Sequence, residues 1–399
     1  MVTEPRLPPQ PFLRRTTIPF DFDTPMDRRH TASLKWDRYQ GRDILPLWVA
    51  DMDFAAPPPV VEALRRRVDH GVFGYTLPPA ELTGTVVAML AERYHWRIEA
   101  DWLVWLPGLV TGLNVACRAV GEEGDGVVTL TPVYPPFLSA PVQSGRELLT
   151  VPLAAEGNHW TMDLQRLAAT LTPRTRLFLL CSPHNPVGRL FHREELQALA
   201  DLCLCHDLIV CADEIHCDLI LAPGRSHIPL ATLSPEMAAR TITLMAPSKT
   251  FNLPGLGCAF AVIADRALRA RFRHAMAGIV PHVNTLGYTA ALAAYRHGNE
   301  WLAELLHYLR INRDLVAEAV AAMAGITMAP VEATYLAWLD CRATGIAHPA
   351  RFFEEAGVGL SDGSEFGAPG FVRLNFGCPR STLQTALDRM AQALAARIR

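Results

Sequence analysis

The sequence predicts an α/β protein: a mostly parallel sheet covered by helices on both faces, followed by a smaller α+β domain. Two observations predict it. Between about residues 126 and 264, short apolar runs that read as strands alternate with helical segments, the pattern of parallel strands joined by crossover helices. Beyond about residue 290 the pattern changes to long helices with a few strands between them. The length of 399 residues exceeds one ordinary domain, and 50% hydrophobic against 19% charged residues is a composition well able to bury a core.

In chain order, the first 57 residues are rich in proline and charge, with few periodic elements before L-P-L-W-V-A-D-M-D-F (45–54). The segment V-V-E-A-L-R-R-R-V-D-H-G (60–71) spaces its apolar residues as a helix does and closes on a glycine, a frequent helix stop. L-T-G-T-V-V-A-M-L-A-E-R-Y (82–94) reads as a second helix. Strands are predicted over 126–130, 148–153, 175–181, 208–214, 241–246 and 258–264, with helices over 163–171 and 193–203 between them. W-L-A-E-L-L-H-Y-L-R (301–310) opens the helical region, and T-A-L-D-R-M-A-Q-A-L-A-A-R (385–397) ends it. The boundaries placed on this pattern are an N-terminal segment 1–57, a large domain 58–290 and a small C-terminal domain 291–399.

Net charge near −3 offers no basic field for nucleic acid. Nine scattered cysteines, an odd number, are what reduced thiols in a cytoplasmic protein look like. The start M-V-T-E-P-R-L-P-P-Q-P-F has no apolar core of a signal peptide, so secretion is not expected. Runs such as L-F-L-L-C (177–181) are too short to span a bilayer, and no membrane partner is expected. Cys203, Cys205, His206, Cys211, His216 and Cys217 crowd together but lack the paired C-x₂-C spacing of zinc sites, so no metal is expected there.

The basic residues hold the sharpest clue. Only Lys35 and Lys249 are lysines among 37 basic residues. Lys249, in A-P-S-K-T-F-N-L-P-G-L (246–256), follows a predicted strand, as Asn185 and Asp213 do in C-S-P-H-N-P-V-G and V-C-A-D-E-I-H. Ligands of open α/β sheets bind at the carboxyl ends of strands, so an amide, a carboxylate and an amine meet on one rim. An aldehyde cofactor held as a Schiff base uses this trio. Lysine forms that bond where a guanidinium, permanently protonated, cannot. In pyridoxal phosphate chemistry a carboxylate such as Asp213 keeps the ring nitrogen protonated, and an amide such as Asn185 bonds the ring hydroxyl. Gly108, in L-P-G-L-V-T-G-L-N-V-A-C (106–117), opens a predicted helix whose N–H groups suit a phosphate.

Taken together, these stretches resemble the MalY/PatB-type carbon–sulfur lyases (cystathionine β-lyases) of the fold-type I pyridoxal-phosphate superfamily. The resemblance runs through K-W-D-R-Y (35–39), L-P-L-W-V-A-D-M-D-F (45–54), H-G-V-F-G-Y-T (70–76), P-V-Y-P-P-F (132–137), S-P-H-N-P-V-G (182–188), D-E-I-H-C-D-L (213–219), A-P-S-K-T-F-N-L-P-G-L (246–256) and F-V-R-L-N-F-G-C-P-R (371–380), almost the whole chain. It implies a seven-stranded, mostly parallel sheet in the large domain, with the N-terminal segment joining the small one. It also implies pyridoxal 5′-phosphate as cofactor, Lys249 as the Schiff-base lysine and acid–base group, and the roles just given to Asp213 and Asn185. Tyr134 would stack on the ring. Gly108, Leu109, Val110 and Ser248 would hold the phosphate. Arg373 would clamp the α-carboxylate of an amino-acid substrate, and Tyr75 would reach the cofactor of a partner subunit in a homodimer. His216 stands where aminotransferases of the superfamily usually carry tyrosine, and Leu256 where they usually carry arginine, both as in the lyases. Pro254 and the G-L-V turn depart from the common lyase pattern without removing a functional group. The expected activity is β-elimination from L-cystathionine or a related S-substituted cysteine. An aminotransferase is the alternative, and a lyase that also binds a transcription regulator is a second.

Overall fold

The computed structural model describes residues 20–156 and 159–398. The chain start read above for a signal peptide lies outside them. Seven strands form the principal sheet: β1 (Leu103–Leu106), β2 (Gly126–Thr131), β3 (Glu147–Pro152), β4 (Thr175–Cys181), β5 (Ile209–Asp213), β6 (Thr241–Met245) and β7 (Ala259–Val262). Their spatial order is β1-β7-β6-β5-β4-β2-β3. Every neighbouring pair is parallel except those made by β7, which runs antiparallel to both β1 and β6. The predicted seven-stranded, mostly parallel sheet is therefore present.

Its strands are apolar almost throughout because both faces are covered. Along β4, Leu177, Leu179 and Cys181 pack with Leu113 and Val115 of helix Leu109–Ala119 and with Leu268 and Phe272 of helix Arg266–Met276. Phe178 and Leu180 point the other way, to Leu196, Leu199 and Cys203 of helix Arg193–Cys205. Each such fully buried leucine or phenylalanine contributes about 1.5–3 kcal/mol of transfer free energy.

A second, antiparallel sheet is built from Thr327–Met328, Leu336–Asp340, Phe371–Asn375 and Ser361–Asp362, neighbours in that order. Near it, Leu45–Pro46 pairs in parallel with Val358–Gly359. One apolar cluster joins the two sheets, from Phe260 and Val262 to Leu336, Leu339, Val372 and Leu374.

Most elements fall where the sequence puts them, some shorter by a residue or two at an end and some longer. The helix expected over 301–310 runs Asn299–Ala321, and the terminal one Arg380–Ile398. Strand β1 and the helices Arg266–Met276 and Thr285–His297 are additional to the predicted set. The four residues of β1, L-V-W-L, lack length enough to show a period before Pro107 ends them. Residue 290, the boundary placed on the sequence, lies inside helix Thr285–His297. Among the described residues no helix is long and apolar enough to cross a membrane, and no group of histidine, cysteine and acidic side chains is placed to hold a metal ion.

Candidate active site

A cavity of about 270 Å³ opens at the carboxyl-end rim of the principal sheet. The topology explains its lining. After β6 comes Lys249, β5 ends on Asp213, and after β4, β2 and β1 come Asn185, Tyr134 and Gly108. The antiparallel β7 begins at this rim, so Gly257 and Cys258 enter the cavity from just before it. Arg373 arrives from the central part of the second sheet, and Val49 and Ala50 from the irregular segment after Leu45–Pro46.

The charged groups stand close enough to alter one another. Burial raises the Asp213 carboxyl to about 7, opposed by the Ile215 N–H and the Lys249 charge. One of its oxygens accepts that N–H at 3.1 Å. Loss of hydration, then the Arg373 charge, lowers the Lys249 amine to about 8, while Asp51 and Asp213 oppose the fall. The amine donates to the Ala50 carbonyl, which also accepts the Tyr335 hydroxyl at 2.8 Å. Burial also brings Arg373 down to about 10, which leaves it a cation at neutral pH.

Arg373 is only 4% exposed and makes no ion pair among the described residues. Its Nη1 donates to Asn185 Oδ1 at 3.0 Å and its Nη2 to the Trp48 carbonyl at 2.9 Å, while its buried Nε has no acceptor among the described residues. With Oδ1 taken by Arg373, the Asn185 amide must present its NH₂ group elsewhere. The Phe366 ring lies under the guanidinium, 4.7 Å away. His216 is buried with Nδ1 unpartnered among the described residues, and desolvation followed by the Lys249 and Arg373 charges holds it well below the usual imidazole range, hence neutral. Burial raises the Tyr134 phenol.

At the far end, helix Leu109–Ala119 begins without a side-chain cap, so its first N–H groups remain available beside the cavity. Gly108 has an ordinary extended φ, and a Cβ there would meet no atom within 4 Å, so the missing side chain serves the space of the cavity.

Lys249, Asp213, Asn185, Tyr134, His216, Gly108, Leu109, Val110, Ser248 and Arg373 thus all line one cavity. Tyr75 does not: it stands wholly exposed on the irregular stretch after Gly71. Leu256 requires a correction. Its half-buried side chain packs against the apolar core, and of the two neighbours it is Gly257 that lines the cavity, where the chain turns through a left-handed φ of +55°. The comparison with an aminotransferase arginine therefore belongs at Gly257, where a Cβ would come within 3.1 Å of the Pro107 carbonyl. Sequence reasoning passed over Val49, Ala50 and Cys258, and Tyr335 behind them, because small and apolar residues there look like ordinary core.

This fold and this arrangement of strand ends agree with the comparisons. A family model described as aminotransferase class I and II matches residues 42–390, and the chain belongs to that family. It is 40% identical to cystathionine beta-lyase PatB of Bacillus subtilis (strain 168), covering 94% of this chain and 100% of that protein. The crystal structure of OvoB superposes with a TM-score of 0.93 at 48% identity, covering 94% of this chain and 100% of that one. Cystalysin from Treponema denticola, whose structure contains a pyridoxal 5′-phosphate cofactor, gives a TM-score of 0.91 at 35% identity over 95% and 99% of the two chains. The resemblance to MalY/PatB-type lyases is borne out.

Proposed function

We propose that this protein is a pyridoxal-5′-phosphate-dependent carbon–sulfur β-lyase, splitting L-cystathionine or a related S-substituted cysteine into a thiol, pyruvate and ammonia. One observation carries the reading: Arg373, a buried cation without a carboxylate partner among the described residues, faces the same cavity as Lys249 and Asp213. An amino acid's carboxylate supplies the missing anion.

The residues present fit the cofactor. Lys249 would hold its aldehyde carbon, Asp213 its ring nitrogen and the Asn185 NH₂ its ring hydroxyl, with Tyr134 against the ring. Uncapped N–H groups at Gly108, Leu109 and Val110, together with Ser248, suit its phosphate. When bound, the cofactor supplies an electron sink for the charge left at the substrate Cα. Protonation of the ring nitrogen also supplies the charge that a carboxylate held near 7 by burial lacks.

The chain's own groups then perform the reaction. Arg373 holds the α-carboxylate through its two-pronged edge. Lys249, with an amine brought to about 8, removes the Cα proton near neutral pH. The carbon–sulfur bond breaks with its electron pair on sulfur, and one water converts the remaining three-carbon enamine to pyruvate and ammonia. Neutral His216 beside Lys249 adds no charge that would oppose the amine's protonation.

A transaminase reading uses the same polar groups, and the family's own description keeps it in view. The test is a panel of S-substituted cysteines assayed for thiol and pyruvate, with a keto-acid acceptor in parallel. Pyruvate and thiol in equal amounts support the lyase; new amino acid from the keto acid without thiol refutes it.

In this reading the protein is a homodimer, with Tyr75 reaching the partner's cofactor phosphate. Exposed Val72, Phe73 and Leu77 around Tyr75 support such a contact, since apolar side chains gathered on a surface mark association sites. The pairing of Leu45–Pro46 with Val358–Gly359 supports grouping segment 1–57 with the small domain 291–399, apart from 58–290. Nine free cysteines, eight of them buried, suit a cytoplasmic setting.

A further inference from the structure

The chain's other lysine, Lys35, has no place in the chemistry just described, yet it is fully buried. Its Nζ donates to Asp53 Oδ2 at 2.8 Å and to the Asp51 carbonyl at 3.1 Å, and lies 3.7 Å from Asp51 Oδ1. Arg28 closes the cluster, at 2.7 Å from both Asp51 Oδ2 and Asp53 Oδ1, and the Trp36 indole donates to Asp53 at 2.8 Å. A charge this deep persists only when it is paired, so the cluster holds its members in one arrangement.

What that arrangement fixes is the cavity wall. Residues 48–54 are neither helix nor strand, yet side chains from distant segments hold their carbonyls one after another. Trp48 O accepts from Arg373 and Ser361, Val49 O and Asp51 O from Asn375, and Met52 O and Phe54 O from Asn252. In the middle, Ala50 O accepts Lys249 Nζ and the Tyr335 hydroxyl. Asp51, immediately beside it, is the residue Lys35 grips.

We propose that Lys35 is a positioning residue: by locking Asp51 and Asp53 it fixes the Ala50 carbonyl at which the Lys249 amine docks. This rests on the reading of Lys249 as the cofactor-binding base. The cluster also sets the field there. Asp213, Asp51, Arg373, His216, Tyr134 and Tyr335 surround Lys249; Asp51, Asp53, Arg28 and Cys378 surround Lys35. Without Lys35, Arg28 alone balances two carboxylates, and the protonated state at Lys249 is favoured.

The test is the pH titration of the lysine-bound cofactor's absorbance in the holoenzyme, with kcat and KM measured alongside. Lys35→Met should lower kcat about ten- to a hundredfold with KM changed far less, as when a reacting group loses its supports. It should also move the spectral midpoint up by roughly half a unit or more. Asp53→Asn removes a negative charge and should move the midpoint down. A lysine that merely stabilises the fold would lower the melting temperature and leave both midpoints alone. That result, or two shifts of the same sign, overturns the proposal. Should these buried variants not fold, Arg28→Gln at the solvent-facing edge takes their place, with an upward shift expected and an unmoved midpoint fatal. A wild-type protein without the absorbance would instead sink the reading of Lys249 itself.

Discussion

Replacing Arg373 by alanine tests the carboxylate clamp most directly. The guanidinium is 4% exposed, remains charged at neutral pH and meets no carboxylate among the described residues. On the proposed reading, substrate brings the counter-ion into a desolvated place, where losing one partner of a charged pair costs about 2–5 kcal/mol. Divided by about 1.4 kcal/mol per decade, that is a fall in kcat/KM of roughly thirtyfold to a few thousandfold. Asn185 Oδ1 and the Trp48 carbonyl each lose a donor in the same substitution, which favours the upper part of the range. The assay is thiol release from an S-substituted cysteine and from its α-carboxamide, which cannot form the ion pair. Wild type should strongly prefer the acid, and Arg373→Ala should lose the preference chiefly by losing the acid. If acid and amide fall by the same factor, Arg373 does not hold the carboxylate and the clamp is wrong.

Other outcomes test the rest of the site. Lys249→Arg should be colourless, and mixing it with Tyr75→Ala under conditions that exchange subunits should restore about a quarter of wild-type activity, because half of the reassorted dimers are hybrids with one intact site; no recovery would count against a shared site. Asp213, raised to about 7 in the folded state, keeps its proton there while the unfolded chain releases it near 4. The Asp213 contribution to the stability of the cofactor-free protein should therefore fall as pH rises from about 4 to about 7 and level off above, by at most about 4 kcal/mol, while the imidazoles that burial keeps neutral, His216 and His184, contribute in the opposite sense over the same range. Cofactor-free Asp213→Asn should escape this fall and unfold at higher denaturant than wild type at pH 8, with little difference near pH 4. Equal midpoints at pH 8 would show that the Asp213 carboxyl is not destabilised.

How much of this was legible in the sequence depended on whether a residue interrupted a pattern. Asn185, Asp213 and Lys249 were readable because each ends or closely follows an apolar strand with a polar group that a buried sheet has no other use for. Arg373 and Tyr134 carry no such signal. F-V-R-L-N is an ordinary strand, buried at every position, and only likeness to a family singles out its arginine. The wall at Val49 and Ala50 was invisible for a different reason, since it works through carbonyl oxygens that every residue possesses. The slip from Gly257 to Leu256 was one residue wide. A left-handed turn decides which of two neighbours faces inward, and neither composition nor spacing reports it. Lys35 appeared within a family motif, but its burial depends on carboxylates 16 and 18 positions away.

The three polar strand ends have one more consequence, for how the protein matures. Asp213 ends the middle one of three adjacent strands, and Asn185 and Lys249 follow its two neighbours, which lie about 4.8 Å to either side. Nothing local holds that spacing; it exists only once β4, β5 and β6 have paired in register, each across an intervening crossover helix or loop. Parallel pairings of this kind close long loops and form slowly. A chain emerging from the ribosome therefore has no partial version of this site. Capture of the cofactor would mark completion of the sheet, and the rise of yellow colour during refolding would time the assembly of its centre.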